Sequence, residues 1–419
     1  VKTPPVFPRW LTWAMYAAVL MTAPLLFNGG AEISLLCQMG TFILLGLSYN
    51  MLLGQGGMLS FGHAVYAGLG AFCSMHVLNM ATNGLPVPVS LIPLVGGVAG
   101  MLFGVLFGYV TTRKSGTTFA MITLGIAELV FASALMFPGF FGGEGGIMGD
   151  RVVGQPFLGI SFGPQIEVYY LIAAWLFVCT LAMYGFTRTP LGRILNAVRD
   201  NTERAEFIGY DARLVRYLTL ILSAFFAGIA GGLTAINFEI VSAENVGTLR
   251  SGAILLFTFI GGIGFFFGPI IGAIVGVFMT VSLSSFTHAW QLYLGLFFIV
   301  IVMCFPGGIA GLLMQALPSR RDQCGWQLVG CVVAGLLTGM SLLAGIVLMV
   351  EMLYFLHLGT PGSATVTMHL LIWEINPRNA LPWLSALMLL ATGVMGWWML
   401  RRHLHMVSNK APCVVRGQP

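Results

Sequence analysis

The chain has 419 residues, of which 58% are hydrophobic and 8% charged, against about 25% charged in soluble proteins. Its 19 Lys/Arg and 14 Asp/Glu are too few to cover a soluble globule of this length. That excludes a soluble enzyme, a disordered chain and a nucleic-acid binder. The apolar runs are continuous rather than alternating, which also excludes a transmembrane β-barrel and leaves an all-α polytopic membrane protein, a helical bundle.

Twelve candidate spans follow in chain order, near 10–28, 33–53, 63–80, 89–111, 118–137, 168–187, 214–236, 252–267, 269–287, 290–305, 326–357 and 382–400. The first is preceded by Lys2 and Arg9, has no small-residue cleavage site, and reads as an uncleaved span although the chain opens on Val1. The third, eighth and tenth are short and read as candidates for re-entrant or broken segments. With the N-terminus inside, sixteen of the nineteen basic residues fall on the inner side, leaving Arg151, Arg250 and Arg378 outside. That asymmetry places both termini in the cytoplasm. Ten spans make a core over 1–317, and two more lie in a segment 318–419, with Arg320 and Arg321 at the junction.

Small residues recur at helical spacing: Gly96, Gly100, Gly104 and Gly108 in the fourth span, Gly268, Gly272 and Gly276 in the ninth, and the pairs Gly228/Gly232 and Gly335/Gly339. They read as close helix packing. The seven cysteines are scattered without a C-x-x-C, so neither a disulfide framework nor a zinc site is indicated.

Three segments depart from plain apolar helix. Gly54 to His63 holds four glycines with Gln55, Ser60 and His63 between two apolar runs. It is either a broken helix beside a polar pathway, its N–H groups offered to a carboxylate, or a Gly-rich cytoplasmic turn. In 117–128, Glu128 stands about mid-span, where an ionisable group must face the bundle interior. It either lines a pathway, together with Thr123, or bonds a neighbouring helix. The third segment, 188–213, is the long hydrophilic loop of the inner side. Thr189 and Pro190 predict a helix start, Asn201 a second cap with Glu203 in the first turn, and Gly209 a stop. Ala205 and Ile208 are expected on one apolar face. Two capped helices in a loop read as a docking surface. Nucleotide-binding motifs and nucleophile–base pairs are missing from the sequence.

The run Tyr49 to His63 is similar to the N-x-x-x-G-x-x-G-x-x-S-x-G-H stretch of permease subunits of branched-chain amino acid ABC importers, the LivM type. Thr123-Leu124-Gly125 with Glu128 resembles their T-L-G-x-x-E helix. Phe141 to Ile147 resembles their external glycine loop, with Phe141 in place of the usual Thr. Leu191-Gly192-Arg193, Arg199-Asp200-Asn201, Ala205-Glu206 and Ile208-Gly209 resemble their ATPase-docking loop. Gly261 to Gly264 with Gly268-Pro269, and Phe305 to Gly308 with Gly311-Leu312, resemble their C-terminal signatures. The match runs over roughly 33–314, and the segment beyond it has no counterpart in the usual member.

The resemblance implies a transport subunit of a bacterial inner membrane, not an enzyme. It implies no cofactor of its own, with ATP bound by two cytoplasmic ATPase subunits. A second related permease, a periplasmic substrate-binding protein and membrane lipid complete the partners, and nucleic acid does not figure. Candidate pathway residues are Gln55, Ser60, Gly62, His63, Thr123 and Glu128. Candidate coupling residues are Gly192, Arg193, Arg199, Asp200, Asn201, Ala205, Glu206, Ile208 and Gly209. Branched-chain or related hydrophobic amino acids are the expected substrates, with urea, short amides and aromatic acids as alternatives. An ion-coupled secondary transporter using Glu128 is the rival class.

Overall fold

The computed structural model describes residues 9–27, 29–84, 86–152, 161–287, 289–305 and 307–316, and, further on, 338–339, 341–342, 344–354, 356, 368–370, 373–375 and 379–410. The chain divides into two compact units, Val1–Ala316 and Leu317–Pro419.

The first unit carries helices α1 (Arg9–Leu26), α2 (Gly30–Gly56), α3 (His63–Thr82), α4 (Ile92–Thr111), α5 (Thr117–Met136), α6 (Pro138–Phe141), α7 (Gln165–Arg188), α8 (Pro190–Asp200), α9 (Thr202–Phe207), α10 (Ala212–Phe238), α11 (Thr248–Gly261), α12 (Gly268–Phe286), α13 (Trp290–Cys304) and α14 (Gly308–Ala316). A minimal antiparallel pair, β1 (Ile147–Met148) with β2 (Ile240–Val241), sits at the end of the bundle opposite α8 and α9. The fold is all-α and polytopic.

Among the described residues seven helices are long and apolar enough to cross a bilayer, or eight if α13 and α14, bent by 49°, form one span. Of the three candidates read as short, the third is instead an unbroken helix of 20 residues, because Gly62 and Ser60 end the break just before it. The eighth stays short, as the 14-residue α11, and the tenth is the bent pair. The first is a shorter apolar helix, Trp10–Leu26.

The core is built on α10, whose apolar window is 83% buried. Small residues make this possible. A Cβ at Gly96 would lie 2.5 Å from the Gly228 carbonyl oxygen, and one at Gly228 would overlap the Gly96 carbonyl, so α4 and α10 touch backbone to backbone. The stripe in α12 does the same against α11, where Gly272 and Gly276 face Phe257. Gly335 lies outside the described residues, and Gly339 meets no neighbour that a Cβ would disturb.

The second unit holds α15 (Ala344–Tyr354) and α16 (Ala380–Lys410), with an antiparallel hairpin of β3 (Met368–Leu370) and β4 (Trp373–Ile375) in the connection. Ser341 Oγ donates to the Leu389 carbonyl at 2.8 Å and meets Thr392 Oγ1 at 2.9 Å. A Cβ at Gly393 would lie 2.9 Å from Leu342 N, while one at Gly345 would lie 2.9 Å from Leu390 Cγ. The two segments therefore run antiparallel in close contact. Helix α16 covers the expected span 382–400, and α15 lies within the expected span 326–357, of which residues 326–337, like the Arg320/Arg321 junction, lie outside the described residues.

Candidate functional site

The segment between α2 and α3 is buried. Gly54, Gly56, Ser60, Gly62 and His63 are all enclosed, Gln55 is half-buried, and of this run only Gly57 is exposed. A freely solvated turn is therefore not what the chain builds here. Helix α2 closes with Gly57 in the left-handed conformation (φ 63°), its N–H donating to the Leu53 carbonyl and that of Met58 to the Leu52 carbonyl. The break then packs on α5. Phe61 N–H donates to Thr123 Oγ1 at 3.1 Å, and a Cβ at Gly62 would overlap the Thr123 carbonyl. Of the residues singled out in the sequence, Ser60, Gly62, His63 and Thr123 thus come together.

Two N–H groups at the start of α3 are taken by protein hydroxyls. Ala64 N–H donates to Ser251 Oγ of α11 at 3.1 Å, and Gly62 N–H to Ser60 Oγ at 3.4 Å. There a protein hydroxyl, not a carboxylate, accepts from the Ala64 N–H. The free polarity lies in side chains instead. His63 Nε2 meets Ser48 Oγ at 2.9 Å, while His63 Nδ1, Asn50 Oδ1 and Gln55 Oε1 are buried without a partner among the described residues. Buried polar atoms of this kind are satisfied by water or by a ligand.

Glu128 does not face the interior of this chain's own bundle, but it does bond a neighbouring helix, the second of its two readings. On α5 the residues Ala120, Thr123, Ala127, Val130 and Ala134 face inward at helical spacing, and Glu128 shares the opposite face with Met121, Leu124 and Leu129, all exposed. It points out of this chain's own bundle, because the inward stripe is filled by small and apolar residues that close on α3. Its carboxylate accepts a hydrogen bond from Thr248 Oγ1, at the start of α11. Beside it Leu249 is 92% exposed, and the half-buried Arg250 donates to Asn245 Oδ1 and lies 5.5 Å over the Phe42 ring. A carboxylate at this depth is costly against lipid, so this face calls for protein or water.

On the side of α8 and α9 the predicted caps form. Thr189 Oγ1 accepts from Gly192 N–H at 3.3 Å with Pro190 in the first turn, and Asn201 Oδ1 accepts from Arg204 N–H at 2.9 Å. Gly209 has φ 98°, and its N–H donates to the Glu206 carbonyl. Gly192, Leu195 and Val198 anchor α8 on the spans, while Arg193, Glu206 and Ile208 are exposed. The expected Ala205/Ile208 face does not exist. Ala205 is buried against the chain, and the outward apolar residues are Phe207, 90% exposed, and Ile208, 70% exposed.

Arg199 joins this surface to the break. One guanidinium nitrogen donates to the Gly54 carbonyl, and Nε and Nη2 both meet Asp200 Oδ1 at 3.0 Å. The C-terminal signatures close the far side: Asn50 Nδ2 donates to the Phe265 carbonyl at 3.4 Å, and a Cβ at Gly308 would lie 2.5 Å from Gly262 Cα. Pro306 lies outside the described residues.

Sequence reasoning missed Asn50, Thr248, Arg250 and Phe207. A lone Arg at the head of a short apolar run was the available signal for Arg250. Asn50 stood at the head of the N-x-x-x-G stretch without being singled out, and Thr248 carries no signal without its partner.

A cavity of about 660 Å³ between α1, α2, α7 and α12 contains none of the predicted site residues and is lined almost wholly by apolar side chains, with Glu32 at its rim. Among the described residues no group of three or more His, Cys, Asp or Glu is placed to hold a metal.

Comparison with known proteins agrees with the layout. LivM of Escherichia coli K12, a high-affinity branched-chain amino acid transport system permease protein, is 26% identical over 303 residues, 67% of this chain and 69% of the relative. BraD of Pseudomonas aeruginosa, described in the same words, is 22% identical over 284 residues, 65% of this chain and 92% of its own. The galactofuranose transporter permease protein YtfT of Escherichia coli K12 is 26% identical over 301 residues, 70% of this chain and 75% of its own. No solved structure matches. The profile of the family described as "Branched-chain amino acid transport system / permease component" matches residues 33–307, which takes in the break, α5, α8, α9 and the first glycine signature, Gly261 to Pro269, and ends inside the second. The chain therefore belongs to the branched-chain amino acid transport system permease family, as a multi-pass membrane transport component rather than an enzyme.

Proposed function

We propose that this chain is the pathway-forming subunit of an ATP-driven importer of branched-chain or related hydrophobic amino acids. It pairs with a second related permease, docks two cytoplasmic ATPase subunits and receives substrate from a periplasmic binding protein in a bacterial inner membrane, with both termini cytoplasmic. It binds no cofactor itself, and ATP stays on the partner subunits. The core 1–317 does this work, and 318–419 adds two further spans.

The observation that carries this reading is the pairing of a self-capped, exposed helix, with Phe207 and Ile208 turned outward, to a buried helix break through Arg199. A secondary transporter needs an ion site but no such clamp. The exposed α5 face with Glu128 and the α11 start form the wall toward the second permease. There the polar groups of the pathway are shared between two chains, and Gln55, Ser60, Gly62, His63 and Thr123 lie behind that wall. Movement of α8 and α9 with the ATPases switches access to the pathway.

Proteoliposomes test it. Radiolabelled leucine uptake is expected only with the second permease, the ATPases, ATP and the binding protein all present. Uptake by the chain alone under a proton or sodium gradient overturns the reading. Competition by galactofuranose, urea, short amides or aromatic acids, each at the same concentration, assigns the substrate class. Galactofuranose is included because one relative is named for it.

A further inference from the structure

We propose that Arg199 is the positioning residue that carries displacement of α8 into the helix break and on to the Thr123 face of α5. This rests on the importer reading above. Helix α2 ends with four carbonyls that have no partner within the helix. The turn at Gly57 and Met58 takes those of Leu53 and Leu52. Of the carbonyls this turn leaves, at Gly54, Gln55 and Gly56, that of Gly54 is taken from outside the helix by Arg199. A cation at a helix C-terminus also complements the dipole there.

The contact is directional. The remaining guanidinium nitrogens are held by Asp200, two bonds to one carboxylate oxygen at 3.0 Å each, so the plane of the fork is tied to the end of α8. The aliphatic stem lies over Gly57, where a Cβ would come within 2.9 Å of Arg199 Cγ. Elsewhere α8 meets the spans by packing: Leu195 lies against Gly56, and Gly192 against the Phe186 carbonyl of α7.

Beyond the break there is no slack. Phe61 N–H is fixed on Thr123 Oγ1 and Gly62 abuts the Thr123 carbonyl. A shift of α8 must either drag 54–62 along or break a charge-assisted hydrogen bond. Arg199 therefore acts inward, on the membrane segment, while Phe207 and Ile208 meet the ATPase.

The test is hydrogen–deuterium exchange of the complete complex in nanodiscs, with and without ATP trapped by vanadate. It needs no transported substrate. In the native complex exchange should change both at 190–197 and at 57–62. In Arg199→Gln the change at 190–197 should persist while that at 57–62 falls about threefold or more, the range in which coupling residues act. Arg199→Lys, which keeps the charge and loses the fork, should fall between and guards against a folding artefact. An unchanged response at 57–62 in Arg199→Gln overturns the proposal. So does loss of both responses in a complex that still assembles, which would make Arg199 a docking residue. A native complex that responds at 190–197 and not at 57–62 overturns the relay but leaves the importer reading standing. No response at 190–197 in the native complex removes the importer reading and the relay with it.

Discussion

Arg151 and Glu239 meet at the end of the bundle remote from α8. The Arg151 backbone N–H donates to Glu239 Oε1 at 3.0 Å and the side chains pair at 3.8 Å. The buried guanidinium also reaches the Asn237 carbonyl at 3.3 Å, the Gly163 carbonyl at 3.0 Å and Gln165 Oε1 at 3.1 Å. It therefore caps the last carbonyls of α10 and ties three separate stretches of chain together. Arg151→Met should cost about 3 kcal/mol, the loss expected when one partner of a buried charged network is removed. Glu239→Gln, half-exposed, should cost about 1 kcal/mol because a neutral acceptor remains. Thermal unfolding of the two variants in the same detergent would show the order, and equal losses would contradict it.

Glu128 and Thr248 supply a test of the proposed wall toward a second permease. Glu128→Gln should lower leucine uptake about tenfold in the assembled transporter, the effect of losing ~1.5 kcal/mol from a charge-assisted hydrogen bond. Thr248→Val removes only the donor and should lower it less, about threefold, or ~0.7 kcal/mol. Uptake per complex is the measurement, with co-purification of all subunits as the control. Full uptake in both variants would take Glu128 out of the pathway.

Helix α9, the proposed docking element, gives a graded series. Asn201→Ala removes a cap worth about 1 kcal/mol and should weaken stimulation of ATP hydrolysis by the loaded binding protein. Gly209→Val should be worse, since φ 98° is closed to a β-branched residue. Phe207→Glu should abolish docking, because it puts a charge on the 90% exposed aromatic proposed to enter the ATPase groove. Ala205→Glu instead should damage folding of the loop itself, since Ala205 faces inward. Normal transport in the first three variants at normal expression would exclude α9 as the coupling element.

The glycine contacts make a fourth expectation. Gly228→Ala forces α4 and α10 apart and should destabilise by about 1–3 kcal/mol, as overpacking does. Gly125→Ala, on the open face of α5 with nothing in reach of its Cβ, should be neutral or stabilising by about 0.5 kcal/mol. Unfolding midpoints in matched detergent decide it, and a harmless Gly228→Ala would show that the helices do not touch there.

Topology of the second unit is open to labelling. A single cysteine at Met368 should react with a membrane-impermeant reagent from outside the cell, and one at Asn409 should react only after permeabilisation. The reverse pattern would invert the orientation set by Arg401 and Arg402.

Much of this molecule follows from short stretches of chain. The apolar runs placed every helix of the first unit that crosses or nearly crosses a bilayer. Thr189, Asn201 and Gly209 marked the helix ends at 189–209, because capping and left-handed closure act within one turn. The glycine stripes marked close packing for the same reason, since spacing of four puts small residues on one face. What they packed against was not legible. Only the folded bundle decides that Glu128 looks outward, that Ala205 looks inward while Phe207 looks out, and that Ser251 accepts from the Ala64 N–H. Arg199 reaches a carbonyl 145 positions earlier in the chain. Such pairings depend on how one helix rotates and slides against its neighbours, which is set by the sum of all interhelical contacts, and no local run of residues carries that information.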